Sequence, residues 1–298
     1  MVAPALPPSS RLAAAVSAGE PLLFLSAHLD DAVLSCGGLL AALAQRCPST
    51  VATVFTAAGP QPHTRAARSF LRQCCAADAG TLFADRRAED RAVLARLGVR
   101  HRHLGATDAL FRRRKLGGPL RQRVGGLVPE LAHRYPTYRF DIAKGRVAAG
   151  DRTLIAGLAE RVTALRRATG ARVVLCPVGI GRHVDHLITR TIGERGGGDV
   201  VYYSDFPYDL TGVADRAFLD RHRLVPWTWD QRIVEKQALI RGYRTQADAL
   251  FPDGEIPVRP ETYYEAAPVR PATAPAGGQP HSGSGDGSGS AGGRSIVW

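Results

Sequence analysis

Residues 21–31 read Pro-Leu-Leu-Phe-Leu-Ser-Ala-His-Leu-Asp-Asp, and the fold follows from how that stretch is parsed. Residues 21–27 form a continuous apolar run of strand length, as expected for a strand covered on both faces. After Asp31 the pattern changes. Val33, Cys36, Leu40 and Leu43 recur at helical spacing and share one face of a helix expected over 32–46. A buried strand leading straight into such a helix is the opening of a β-α-β unit.

The same rhythm continues outward. Strands are expected at 51–56, 102–104, 172–176 (stopped by Pro177) and 200–203. Helices are expected at 65–77, 86–97, 154–168 and, as one long element, 231–249. The alternation predicts an α/β, Rossmann-like, mostly parallel sheet with helices on both faces. Ligands in such sheets sit beyond the carboxyl ends of the strands, near the point where strand order switches. Residues 1–10 are Pro-rich and read as a flexible N-terminus, 11–267 as one domain, and 268–298, made of Pro, Ala, Gly and Ser, as a disordered tail. Residues 112–151, with Pro119, Pro129 and Pro136, read as an insertion near the site that could recognise an outlying part of a substrate.

Composition narrows the function. The 298 residues carry a formal net charge of +12, but the basic residues are scattered and lack interleaved aromatics. The run Arg112-Arg113-Arg114-Lys115 is short. That argues against a nucleic-acid partner and for a solvated surface or attraction to an anionic substrate. Five cysteines, with no CxxC pair, argue against a disulfide framework or cysteine zinc site and for reduced thiols in a cytoplasm. No signal peptide and no bilayer-length apolar run is visible, so no membrane partner is expected.

Two motifs carry chemistry. Ala27-His28-Leu29-Asp30-Asp31 joins the first strand to the first helix, at the carboxyl edge of the sheet. An Asp at a helix start commonly caps the helix and nothing more; His28 beside the pair has no such explanation. His183-Val184-Asp185-His186 follows the 172–176 strand after a short loop. If a helix begins there, its two histidines point to one side. Together the motifs place imidazoles and carboxylates at one sheet edge, the donor set of a catalytic zinc site with an open position.

In these two motifs the chain resembles the PIG-L/LmbE-like deacetylases, an N-acetylglucosaminyl deacetylase family with signatures AHPDD and HPDH. Arg86-Arg87-Ala88-Glu89 is similar to the family's RxxE helix start. Asp205-Phe206-Pro207-Tyr208 and Tyr243-Arg244-Thr245-Gln246 are similar to features of one bacterial branch. The resemblance implies that His28, Asp31 and His186 hold a divalent metal, Zn2+ or another such as Fe2+. It implies Asp30 as general base, His183 as general acid or transition-state cation, and Asp185 as the carboxylate orienting His183. Arg86 would contact substrate. Asp108 stands as a substrate contact or a turn former, and Arg182 as a substitute for a tyrosine that some members carry in loop 179–182 and this chain lacks. Leu29 and Val184 replace prolines that supply no functional group.

The activity so implied is metal-dependent hydrolysis of a linear amide. The substrate would be an N-acetyl amino sugar within a cytoplasmic small molecule, such as a specialised-metabolite or thiol-precursor glycoside. The competing readings are an amidase for non-sugar or thiol-conjugate amides and a non-catalytic binding protein on the same fold. Elsewhere, His101 and His103 read as solvated or strand-edge residues, Cys74-Cys75 as packing, and Gly37-Gly38 as no dinucleotide fingerprint.

Overall fold

The computed structural model describes residues 6, 7 and 10–267. In chain order the elements are α1 (Arg11–Ser17), β1 (Leu22–Ser26), α2 (Asp31–Leu43), β2 (Ser49–Ala57), α3 (Arg65–Gln73), α4 (Ala79–Arg96) and β3 (Arg100–Thr107). Next come α5 (Pro119–Leu127), α6 (Pro129–Ala132), α7 (Arg152–Thr169), β4 (Val173–Pro177), α8 (Val184–Arg195) and β5 (Asp199–Tyr203). The last are α9 (Arg216–His222), β6 (Leu224–Trp229), α10 (Ile233–Ile240), α11 (Arg244–Leu250) and β7 (Glu261–Ala266).

The strands form one sheet in the order β3-β2-β1-β4-β5-β7-β6. The first five are parallel, and β7 and β6 add an antiparallel edge. Strand order switches between β1 and β4, which pair directly, Leu22 with Val173 and Phe24 with Leu175. The crevice of this sheet therefore opens above those two strands.

Strand pleating explains the layers. Every residue of β1 is buried. Leu22 and Phe24 point into one core with α1, α2, α4 and α10, while Leu23 and Leu25 point into another with α7, α8 and α9. Fully burying each such side chain is worth about 1.5–3 kcal/mol. No helix among the described residues is long and apolar enough to cross a membrane.

Several boundaries differ from expectation. The expected helix 231–249 is two helices. A β-carbon at Gly242 would stand 2.5 Å from Val93 Cγ2, so the chain comes too close to α4 for a continuous side-chain-bearing helix. The break turns Tyr243 into the core, where its hydroxyl donates to Asp90 at 2.9 Å. Helix α4 starts at Ala79, capped by Asp78, which accepts from the Thr81 N–H at 2.9 Å; Arg86-Arg87-Ala88-Glu89 thus lies mid-helix rather than at a helix start. The tail 268–298 and most of the first ten residues lie outside the described residues. Ser10 is the exception to a loose N-terminus: it is buried, caps α1 and donates to Glu265 at 2.6 Å.

Candidate metal centre and active site

The turn after β1 frees its carboxylates. Ser26 Oγ donates to the His28 carbonyl at 2.6 Å and accepts the Ala32 N–H at 3.0 Å, satisfying one of the unpaired donors at the start of α2. Asp30 occupies the N-cap position, yet its side chain makes no capping bond. Capping therefore does not account for Asp30. Asp31 Oδ2 accepts the His28 N–H at 2.7 Å and lies 3.2 Å from His28 Nδ1, which folds the histidine and the carboxylate onto each other.

The turn after β4 brings in the second motif. Helix α8 begins at Val184, with His183 as its N-cap. His183 and His186 lie one turn apart, their rings 5.4 Å apart, and stand 4.9 and 5.3 Å from the His28 ring. His186 Nδ1 is held by Asp205 Oδ1 at 2.6 Å. The other Asp205 oxygen accepts the N–H groups of Gly179 and Ile180, both at 2.8 Å. With Nδ1 engaged, His186 presents Nε2, which is buried, lacks a hydrogen-bond partner and lies 3.3 Å from Asp31 Oδ2.

Whether a metal ion fits can be judged from these atoms. Potential ligand atoms of His28, Asp31 and His186 all lie within 4.8 Å of one another, and the orphaned His186 Nε2 needs a partner. A carboxylate behind a ligating histidine is the usual way of fixing its tautomer. The residues fit a divalent cation.

The electrostatics point the same way. Burial would raise the Asp31 carboxyl, but His186 and His28 outweigh it and hold Asp31 below the usual carboxylate range. Burial would lower His28, but Asp185, Asp31 and Asp108 outweigh it and push it well above the usual imidazole range. The rise at His28 reflects the carboxylates crowded around it, and the drop at Asp31 reflects its pairing with the two imidazoles. Asp30 behaves oppositely: burial pushes it up to about 6, against the pull of Arg86. Burial and neighbouring His28 push His183 well down, so it is neutral. Its Nδ1 accepts the Asp185 N–H at 3.2 Å, which assigns its proton to Nε2.

His28, Asp30, Asp31 and His183 border a cavity of about 550 Å³. Its lining combines the polar side chains of His28, Asp30, Asp31, Arg86, Asp108 and His183 with Leu34, Phe70, Leu110, Tyr138, Pro207, Tyr208 and Leu250. Arg86 is buried, lies 3.5 Å from Asp30 Oδ1 and leaves its Nε without a partner. Asp108 is a turn former, its Oδ1 accepting the Leu110 N–H at 2.8 Å, and it also lines the cavity, where Oδ2 lies 3.4 Å from His28 Nε2.

Two expected arrangements differ. Arg182 has a left-handed backbone (φ 56); its side chain is exposed and packs by Gly145, outside the cavity lining. Asp185 makes no side-chain hydrogen bond to His183. Its Oδ2 accepts the Ala109 N–H at 2.8 Å and lies 3.4 Å from His28 Nε2, and its Oδ1 pairs with Arg112.

Sequence reasoning passed over Asp151 and Tyr138, saw Arg112 only as part of a basic run, and quoted Asp205 and Tyr208 within a family-like segment without giving either a role. Arg112 is buried, bridges Asp185 to Asp151 (2.8 Å) and donates twice to the Thr107 carbonyl at 3.0 Å. Tyr135 donates to the same Asp151 at 2.6 Å. A buried polar chain thus runs from the catalytic edge into the 112–151 segment. Tyr208 packs on Gly181, which has φ 78; a β-carbon there would stand 2.6 Å from Tyr208 Cδ1. The loop that lacks a tyrosine is therefore built to receive one from the loop after β5. The Tyr138 and Tyr208 hydroxyls lie 3.4 Å apart at the cavity wall.

A family model described as PIG-L, GlcNAc-PI de-N-acetylase, matches residues 23–195, more than half of the chain and the whole path from β1 through α8. The chain belongs to the PIG-L family. It is accordingly a deacetylase, an enzyme of the amide-hydrolysing class. The 2'-N-acetylparomamine deacetylase of Streptomyces fradiae is 30% identical over 238 residues, 76% of this chain and 73% of that protein. Among solved structures, a deacetylase in complex with bog from the teicoplanin biosynthesis pathway superposes with a TM-score of 0.61 at 24% identity, covering 82% of this chain and 96% of that one. The zinc inhibited form of teicoplanin deacetylase Orf2 gives 0.60 at 23%, covering 82% and 97%. These two likenesses establish the LmbE-like fold of this PIG-L member.

Proposed function

We propose that this PIG-L member is a divalent-metal-dependent deacetylase that removes the N-acetyl group from an amino-sugar-containing small-molecule glycoside. The observation that carries the reading is the polar part of the cavity. His28 and Asp31 line it and meet the orphaned His186 Nε2 just behind, and Asp30, free of any capping role, lines the same cavity. The similarity to a 2'-N-acetylparomamine deacetylase supports an amino-sugar glycoside as substrate class.

Zinc, or another divalent ion, held by His28, Asp31 and His186 would supply Lewis acidity toward the acyl oxygen and the attacking water. The remaining work belongs to side chains. Asp30, at about 6, is ionised at neutral pH yet basic enough to take the proton of the attacking water. It then returns that proton to the departing nitrogen, which cannot leave as an anion. Neutral His183, its Nδ1 fixed by the Asp185 N–H, donates from Nε2 to the oxygen on which charge develops. Arg86, with its free buried Nε, and Asp108 present polar groups to sugar hydroxyls, and the aromatic and aliphatic walls take the apolar faces of the glycoside.

The test is acetate release from 2'-N-acetylparomamine, free N-acetylglucosamine and non-sugar N-acetyl amides, with the metal saturating. Preference for the glycoside over the free sugar is expected. Turnover confined to the non-sugar amides would overturn the sugar assignment in favour of a thiol-conjugate or other amide.

A further inference from the structure

Helix α5 is laid on the protein the wrong way round for an ordinary surface helix. Leu120, Val124 and Leu127 are spaced to form one stripe, and that stripe faces outward: Leu120 is 73% and Leu127 84% exposed. Val128 and Leu131, just beyond the helix, are exposed too. The buried residue of α5 is Gly125, where a β-carbon would come within 2.7 Å of Leu116 Cδ1 and 3.0 Å of Ala132 Cβ. The helix therefore rests on the protein through a glycine.

Charge accompanies the stripe. At 100° per residue, Arg121 and Arg123 fall about 90° and 70° to either side of its centre, and both are exposed. Arg114 and Lys115 are exposed just upstream. The only acid in 112–131 is Glu130, which accepts the Arg65 N–H at 3.0 Å. That bond seats α6 against the start of α3, whose Ala66, Ser69 and Phe70 line the cavity.

Against the expectation of no membrane partner, which rested on the lack of a spanning segment, we propose that α5 docks this enzyme peripherally on an anionic lipid surface, linked through α6 to the α3 residues that line its cavity. An apolar stripe flanked by arginines is the pattern of a helix lying in a membrane interface, and the basic flanks supply attraction to acidic headgroups. Charge also disfavours a second copy as the occupant, because a two-fold contact through this stripe would bring arginine rows together.

The experiment uses the full chain in co-sedimentation with vesicles of phosphatidylcholine alone or with added phosphatidylglycerol. Binding is expected only with phosphatidylglycerol, and weakened by salt. Each basic residue near such a surface contributes about fivefold in partitioning, so Arg121→Gln/Arg123→Gln should lose about 25-fold. Leu120→Asn/Leu127→Asn should lose at least about tenfold. Arg216→Gln/Arg221→Gln on α9 should lose little. Thermal melting and metal content report on folding of each variant. In a separate Leu127→Trp chain, the added indole should shift to the blue on anionic vesicles. No binding to anionic vesicles, full binding by the leucine double variant, or equal loss in the α9 control would overturn the proposal. So would a dimer in sedimentation equilibrium that Leu127→Asn dissolves, which would assign the face to self-association.

Discussion

The turns after β1 and β4 carry the same chemical types, histidine and aspartate, on neighbouring strands, yet they use them differently. After β1, Ser26 takes over the helix start, and both carboxylates are left facing the cavity. After β4 the histidines face the site, while Asp185 is fully buried against Arg112 and the Ala109 N–H. Residue type and motif position do not by themselves say which carboxylate reaches substrate. The neighbour that claims its hydrogen bonds decides that.

The contrast can be broken at several points, in order of expected effect. Asp31→Ala or His186→Ala should abolish turnover and strip the metal without unfolding the chain, checked by elemental analysis and circular dichroism. Stoichiometric metal in His186→Ala would remove that residue from the ligand set. Asp185→Asn should keep metal, with affinity reduced only about 10–100-fold, the usual effect of losing a supporting partner. If it lost metal as completely as Asp31→Ala, the two turns would not differ as described. Arg112→Met removes the guanidinium paired with buried Asp185 and leaves Asp151 only Arg134 at 3.3 Å and the Tyr135 hydroxyl. It should cost about 3–5 kcal/mol in a denaturant melt, whereas Arg112→Lys should recover part of that loss. Arg86→Gln should raise KM about tenfold through one lost charged hydrogen bond, with metal content unchanged. Deleting residues 268–298 should leave melting temperature and kcat/KM within about twofold.

Much of the parallel core was legible because β1, β2, β4 and β5 are apolar runs of strand length separated by helical periodicity. The antiparallel edge was not. β6 contains Pro226 and is largely exposed, and its partner β7 arrives more than thirty residues later, so neither announces itself locally. The 231–249 pattern hid its break because a glycine in a helical pattern costs too little to signal one; the break answers to Val93, a distant residue. At the site, the two His/Asp motifs stood out through their order after two strands, and the resemblance to the PIG-L/LmbE-like deacetylases singled out His28, Asp31 and His186 within them. Arg112 did not, since nothing in a run of four basic residues marks the one that is buried. Asp205 had a signal, an aspartate just past a strand at the same sheet edge, but its partner His186 is visible only in three dimensions. Arg182 was misplaced because its left-handed backbone turns the side chain away from the loop's inner face.

The central claim is that metal holding and proton transfer are divided between adjacent residues, Asp31 and Asp30. It is tested most directly by measuring bound metal and acetate release side by side in Asp30→Asn. The account predicts metal content equal to wild type with turnover down about 10²–10⁴-fold, the usual range for loss of a general base. Activity within a few fold of wild type, or loss of the metal along with activity, would contradict it.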